Sequence, residues 1–205
     1  MKIRVLKIIY IASVPAPRRV TRTPLKKNIY PSASKKNVDM LTLNLGCGES
    51  KKGDIRLDIR KTSAVNIIAD AHHLPFRNEV FDRVFCIEVL EHLNSPLKAL
   101  NEIRRVLNKN GTIIVTVPNL TEIRRIISII RRPSRARCTK TDHKQGWDAI
   151  EFHRLAYQAG LKIIHIDWLD VYKRKKRKKL DPLLKYILPR TLFYKHMKIL
   201  LKKRC

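Results

Sequence analysis

Apolar residues recur along this chain first at strand spacing and later at helical spacing. Leu41, Leu43 and Leu45, with Thr42 and Asn44 between them, form a short, mostly apolar run that reads as a buried strand. Gly46-Cys47-Gly48 stops it where a backbone must turn sharply or approach a ligand closely. Ile55 to Ile59 reads as a second strand, Ile67 to Ala71 as a third, and Val84 to Ile87 as a fourth, buried and central. The spacing then changes. Ser95 followed by Pro96 is an N-cap with proline at the first helical position, and Leu97, Leu100, Ile103, Val106 and Leu107 share one helical face that Asn110-Gly111 should close. Thr112 to Val117 is a fifth strand, stopped by Pro118-Asn119. Asp148-Ala149-Ile150-Glu151 is a capping box opening a helix that Gly160 ends, and Leu161 to Trp168 is a sixth strand. Asp181-Pro182 starts another short helix, and Phe193 to Leu201 is the candidate final strand.

Chemistry gathers where these strands end. Asp58 closes the second strand, the place where open parallel sheets put a carboxylate that accepts both hydrogens of a ribose diol. Residues 46 to 54 are close to the minimum for joining parallel strands, so no full helix is expected after the glycine turn. His72-His73 reads as loop rather than metal site, because consecutive residues seldom face one ion and no third ligand has a telling spacing.

Taken together, LNLGCG, the strand-ending Asp58, DAHHLPF (Asp70 to Phe76), FDRVFCIEVLEHL (Phe81 to Leu93), LKALNEIRRVLNKNGTIIVTVPN (Leu97 to Asn119) and the late HRLAYQAGLKII resemble the class I S-adenosylmethionine-dependent methyltransferases. The similarity is to the type 11 group, in its short glycine-loop variety, and runs from Val38 to Trp168. It implies an α/β, Rossmann-like, seven-stranded, mostly parallel sheet with helices on both faces, the first six strands parallel and the last antiparallel. It also implies S-adenosyl-L-methionine as cofactor, bound by Asn44, Gly46, Cys47, Gly48, Asp58, Asp70, Ala71 and Glu88. In the family the aspartate matching Asp70 reaches the exocyclic amine of adenine, and Leu74, Pro75 and Phe76 would wall the ring. Two positions depart from the family pattern: Asn44 stands where an acid is usual, and Ser50 takes the third glycine position. Asn44 can hydrogen-bond but brings no negative charge to the cofactor.

The end of the fourth strand, Glu88-Val89-Leu90-Glu91-His92, is where the resemblance places the transferring methyl. No NPPY or DPPY follows the strand, against methylation of adenine or glutamine amide nitrogens. Cys86 has no proline before it, against a cysteine nucleophile for 5-methylcytosine. Direct displacement on an oxygen or nitrogen remains; alignment supplies most of such a rate and a general base adds a smaller factor. Glu88, Glu91 and His92 are the candidates for that base, His92 having the alternative role of a satisfied helix-start residue.

Charge alters the picture of the partner. Forty-five Lys and Arg against seventeen Asp and Glu leave a formal +28 over 205 residues, a field that attracts nucleic acid, anionic lipid or other polyanions. The basic residues concentrate in three places: a Pro-containing extension over 1–37, an insertion over 120–147 with a basic amphipathic helix at its start, and a run over 173–179. Residues 38–205 then form the methyltransferase domain. If the family topology holds, all three segments surround one mouth, with the insertion as candidate lid. RNA is the favoured acceptor, its phosphates gripped whatever the target base. A small-molecule, glycan or lipid-linked acceptor at an anionic membrane surface is the alternative, since aromatics are only 6% of the chain and no RNA-binding module is visible. A non-enzymatic protein with a degenerate cofactor site is the third reading, supported by Asn44 and the shortened turn. Cys47, Cys86, Cys138 and Cys205 form no CxxC pair, so the expected setting is reducing and cytoplasmic, without a metal site. No stretch approaches the roughly twenty apolar residues of a transmembrane helix, and Lys7 interrupts the short apolar start that superficially resembles a signal peptide.

Overall fold

The alternation of short apolar strands with amphipathic segments builds one twisted sheet. The computed structural model describes residues 40–122, 130, 144–169 and 194–204. Its strands are β1 (Thr42–Leu45), β2 (Ile55–Asp58), β3 (Ile67–Ile68), β4 (Phe81–Ile87), β5 (Leu107–Pro118), β6 (Leu161–Leu169) and β7 (His196–Lys203). Helices α1 (Pro96–Val106) and α2 (Ala149–Gln158) precede β5 and β6, and a 3-10 turn spans Leu90–His92. The sheet order is β3-β2-β1-β4-β5-β7-β6. Pairings through β5 are parallel, while β7 runs antiparallel to both of its neighbours, β5 and β6. The expected topology is therefore present, with β7 beginning three residues later than the pattern predicts.

The first crossover holds no helix, as its length requires. Sheet order reverses between β1 and β4, so their diverging connections open a crevice beyond their carboxyl ends. α1 and α2 pack against each other on one face. The core beneath them is continuous: Leu43, Leu45 and Leu57 from the first strands, Leu100 and Ile103 from α1, and Met197, Ile199 and Leu201 from β7 are all buried.

Two local expectations change. α1 stops at Val106, because Leu107 adopts an extended backbone and pairs with Phe81. Residues 108–111 then bulge out before Arg83 pairs with Thr112, and the bulge folds Gly111 onto Leu107, where a Cβ would lie 2.7 Å from its Cδ1. Gly111 thus serves the bulge rather than a helix end. Ser95 is the N-cap residue of α1 by position, but its side chain makes no capping bond. The 1–37 extension, most of the 120–147 insertion, the 173–179 run and the helix expected at Asp181 lie outside the described residues. The two ends of the insertion are described and lie together: Asn119 bridges to Trp147, and Leu120 N–H donates to the Trp147 carbonyl.

Candidate active site

Gly46 and Gly48 both adopt left-handed backbone, with φ of 64° and 51°. At Gly46 a side chain would overlap Val89, so the turn lies hard against the segment leaving β4. At Gly48 an added Cβ would meet nothing within 4 Å. The turn is held by the Cys47 N–H, which donates to the Leu57 carbonyl at 3.0 Å, and by the Gly48 N–H, which donates to Asp58 Oδ2 at 2.9 Å. Asp58 is only 5% exposed. Burial alone would raise its pKa, but the backbone N–H groups of Arg60 and Gly48 and the Arg60 charge outweigh it, holding the carboxyl below its ordinary value.

Asn44 is buried, and its amide donates to the Lys52 carbonyl at 3.2 Å. The short crossover folds over it, with Gly53 at φ 84° and Lys52 Nζ 4.0 Å above the Phe85 ring. One of its two amide hydrogens is thereby committed to the crossover. Next to Asp58, the Ala69 N–H donates to the Asp58 carbonyl, which sets Asp70 beside it at the end of β3. Asp70 Oδ1 accepts from the His72 N–H at 2.9 Å and contacts His72 Nδ1 at 2.6 Å. Against the opposing effect of burial, these contacts lower the Asp70 pKa. Ala71 is buried. Leu74 and Phe76 are buried in the core, so those two side chains face inward rather than walling a ligand. The exposed apolar side chains here are Ile59, immediately after Asp58, and Ile68, paired with it.

A second cluster lies at the end of β4. Glu88 has φ 54°, unusual for a side chain with a Cβ, and its N–H reaches the Thr116 carbonyl and Oγ1, each at 3.1 Å. Its Oε2 lies 3.3 Å from His196 Nε2. Burial would raise its pKa, but His196 and the Thr116 hydroxyl lower it. Glu91 is fully buried, and its carboxyl is pushed up to about 8, by burial first and by the Glu88 charge in addition. Both Glu91 carboxyl oxygens and Glu88 Oε1 lack a donor when both groups are ionised; a proton on Glu91 lets it donate to Glu88. The Glu91 carbonyl accepts the backbone N–H groups of Lys144 and Gln145, at 2.8 and 3.2 Å, so the returning end of the insertion is tied to this cluster. His92 is exposed on the 3-10 turn. Cys86 is buried and its thiol pushed far up, by burial and then by the Glu91 and Glu88 charges, which leaves it inert as a nucleophile. Among the described residues no metal-ligand group of three or more His, Cys, Asp or Glu occurs.

The family model for a methyltransferase domain matches residues 50–115, from just after the glycine turn to within β5. An uncharacterised protein of Methanocaldococcus jannaschii is 44% identical over 95 residues, covering 40% of this chain and 42% of that one. A tRNA U34 carboxymethyltransferase of Campylobacter curvus is 34% identical over 55 residues, covering 27% of this chain and 18% of that one. The matches thus span less than half the length of these curated relatives. The solved structure of an S-adenosylmethionine-dependent methyltransferase from Archaeoglobus fulgidus has the same fold, with a TM-score of 0.55 at 19% identity over 80% of this chain and 86% of that one. The family-model match over residues 50–115 and the shared fold support a class I S-adenosylmethionine-dependent methyltransferase of the type 11 group.

The methyltransferase domain divides the residues expected from sequence into two neighbourhoods. Gly46, Cys47, Gly48, Asp58, Asp70 and Ala71 form one, beyond β1 to β3; Glu88, Glu91 and His92 form the other, beyond β4. Val89 links them by packing on Gly46. The fit to the cofactor is carried by the first: an anionic, buried Asp58 on the Gly48 amide, with unfilled space at the Gly48 Cα. Sequence reasoning missed His196 and Ile59. The signal for Ile59 was an apolar residue just past a strand-ending carboxylate; His196 had none, because only the pairing of Pro118 with His196 brings it beside β4's end.

Proposed function

We propose that this protein transfers a methyl group from S-adenosyl-L-methionine to an oxygen or nitrogen acceptor on RNA. The observation that carries the reading is the Gly48–Asp58 bond at the carboxyl end of a parallel sheet, an anion held in place with capacity left for a ribose diol. Bound S-adenosylmethionine supplies a methyl on a positively charged sulfur, so little further activation is required. Asp58 accepts the ribose hydroxyls, Asp70 accepts the adenine amine, and Ile59 offers an apolar surface to the ring. Glu88, steadied by His196 and by protonated Glu91, takes the proton that the acceptor loses; His92 lies on the exposed side of the same turn. Residues 38–205 constitute this unit and 1–37 a basic extension, in a reducing, cytoplasmic setting.

RNA is favoured by the formal +28 charge and by the 55-residue similarity to a tRNA-modifying enzyme. The test is transfer of labelled methyl into a fractionated extract, scoring RNA, protein, lipid and small molecules separately, with Asp58→Ala beside the wild type. Label in RNA that disappears in the variant is the expected result. Label confined to lipid or small molecules overturns the RNA acceptor and recasts the basic segments as contacts to anionic membrane.

A further inference from the structure

We propose that His72 is the positioning residue for nucleobase recognition: it locks one oxygen of Asp70 and leaves the other to accept an exocyclic amino group. The inference rests on the cofactor reading above and specifies how the adenine end is read. Two donors from one residue, the His72 N–H and the Nδ1 N–H, converge on Asp70 Oδ1. Asp70 Oδ2 has no protein donor among the described residues. A single bond from the backbone would leave the carboxylate free to swing about its terminal torsion. The second bond, from a ring, fixes its plane.

The ring is fixed from its far side. The Ser95 N–H donates to His72 Nε2 at 3.3 Å, so that nitrogen carries a lone pair and the proton belongs on Nδ1, which makes the Asp70 contact a donor bond to a carboxylate. Ser95 precedes α1, and its own side chain caps nothing. The imidazole therefore splices the β3 loop to the start of α1, and its side chain is only 15% exposed while that of Asp70 is 47% exposed. An acceptor-only oxygen held in one orientation favours a 6-amino purine. It repels a 6-oxo purine, whose oxygen offers lone pairs and no donor at that position.

The test is calorimetric binding of S-adenosylhomocysteine and of its deaminated analogue S-inosylhomocysteine to the full chain. Wild type should prefer the amino compound. His72→Ala should weaken S-adenosylhomocysteine binding about five- to tenfold and leave S-inosylhomocysteine within about twofold, narrowing the preference. His72→Asn, whose amide N–H can take the place of Nδ1, should recover most of it. Equal weakening of both ligands would reduce His72 to a loop-packing role and overturn the proposal, as would an unchanged preference. Absence of S-adenosylhomocysteine binding by the wild type would overturn the cofactor reading itself; binding without a His72-dependent preference would overturn this inference alone.

Discussion

Glu91 shows how far a single residue's state depends on its surroundings. Its carboxyl is raised from 4.5 to about 8 by burial and by Glu88. The folded protein therefore binds a proton there more tightly than the unfolded chain, and this contribution is complete below about pH 4.5 and is lost as pH rises through about 8. Urea unfolding across that window should show wild-type stability declining relative to Glu91→Gln, whose amide stays neutral throughout. Parallel pH profiles for the two proteins would refute a neutral Glu91. The two glycines of the turn invite a second comparison. Gly46→Ala meets both a left-handed backbone and the Val89 side chain, and should cost about 2–4 kcal/mol. Gly48→Ala meets only the backbone term, about 1–2 kcal/mol, yet places a methyl in the space assigned to ligand. Its S-adenosylhomocysteine affinity should fall more than its stability does, measured by calorimetry beside denaturant melts.

Elements are joined here by side chains that reach backbone. The Arg105 guanidinium on α1 donates to the carbonyls of Phe76 and Leu74, at 2.7 and 2.9 Å, and to Glu102, which in turn accepts from the Leu74 N–H at 2.8 Å. This clamp holds the loop that carries Asp70 and His72. Arg105→Ala strips several part-buried acceptors at once and should cost about 2–4 kcal/mol, with weakened S-adenosylhomocysteine binding because the loop loosens. The capping box of α2 provides the contrast. Asp148 accepts from the Glu151 N–H at 2.7 Å while the Glu151 side chain reaches back to the Asp148 N–H. Asp148→Ala should cost about 1 kcal/mol in thermal or denaturant unfolding without changing S-adenosylhomocysteine affinity, since α2 contributes nothing to that neighbourhood. On the outer strand β6, a register shift between Ile163 and His165 and the charged Asp167, paired with Lys198 of β7, blunt an otherwise open edge.

At the scale of the whole molecule, charge and topology act together. The formal +28 predicts RNA affinity that falls steeply with salt, by about three or more orders of magnitude between 50 and 200 mM if six or more phosphates are engaged. A filter-binding series over that range checks it, and a shallow slope would remove phosphate contacts as the basis of binding. Within the described residues no helix is long and apolar enough to cross a membrane. β7 completes the sheet by entering between β5 and β6, burying Met197, Ile199 and Leu201 and carrying His196 to the end of β4.

Much of this could be read along the chain, because the relevant forces are local. The strand ends at Leu45, Asp58 and Ile87, the glycine turn and the Asp148–Glu151 capping box all follow from backbone preferences and apolar spacing within a few residues. The length of the first crossover, near the minimum for joining parallel strands, leaves no room for a full helix. Other features arise between segments distant in sequence. Leu107 leaves its helix because Phe81 offers a pairing partner; Asn44 turns to the crossover because Lys52 offers a carbonyl; Leu74 and Phe76 go inward because the core has room for them. The proton on Glu91, the approach of His196 to Glu88 and the grip of His72 on Asp70 depend on burial and on which strands and helix ends become neighbours. Periodicity carries no record of that neighbourhood, which packing alone creates.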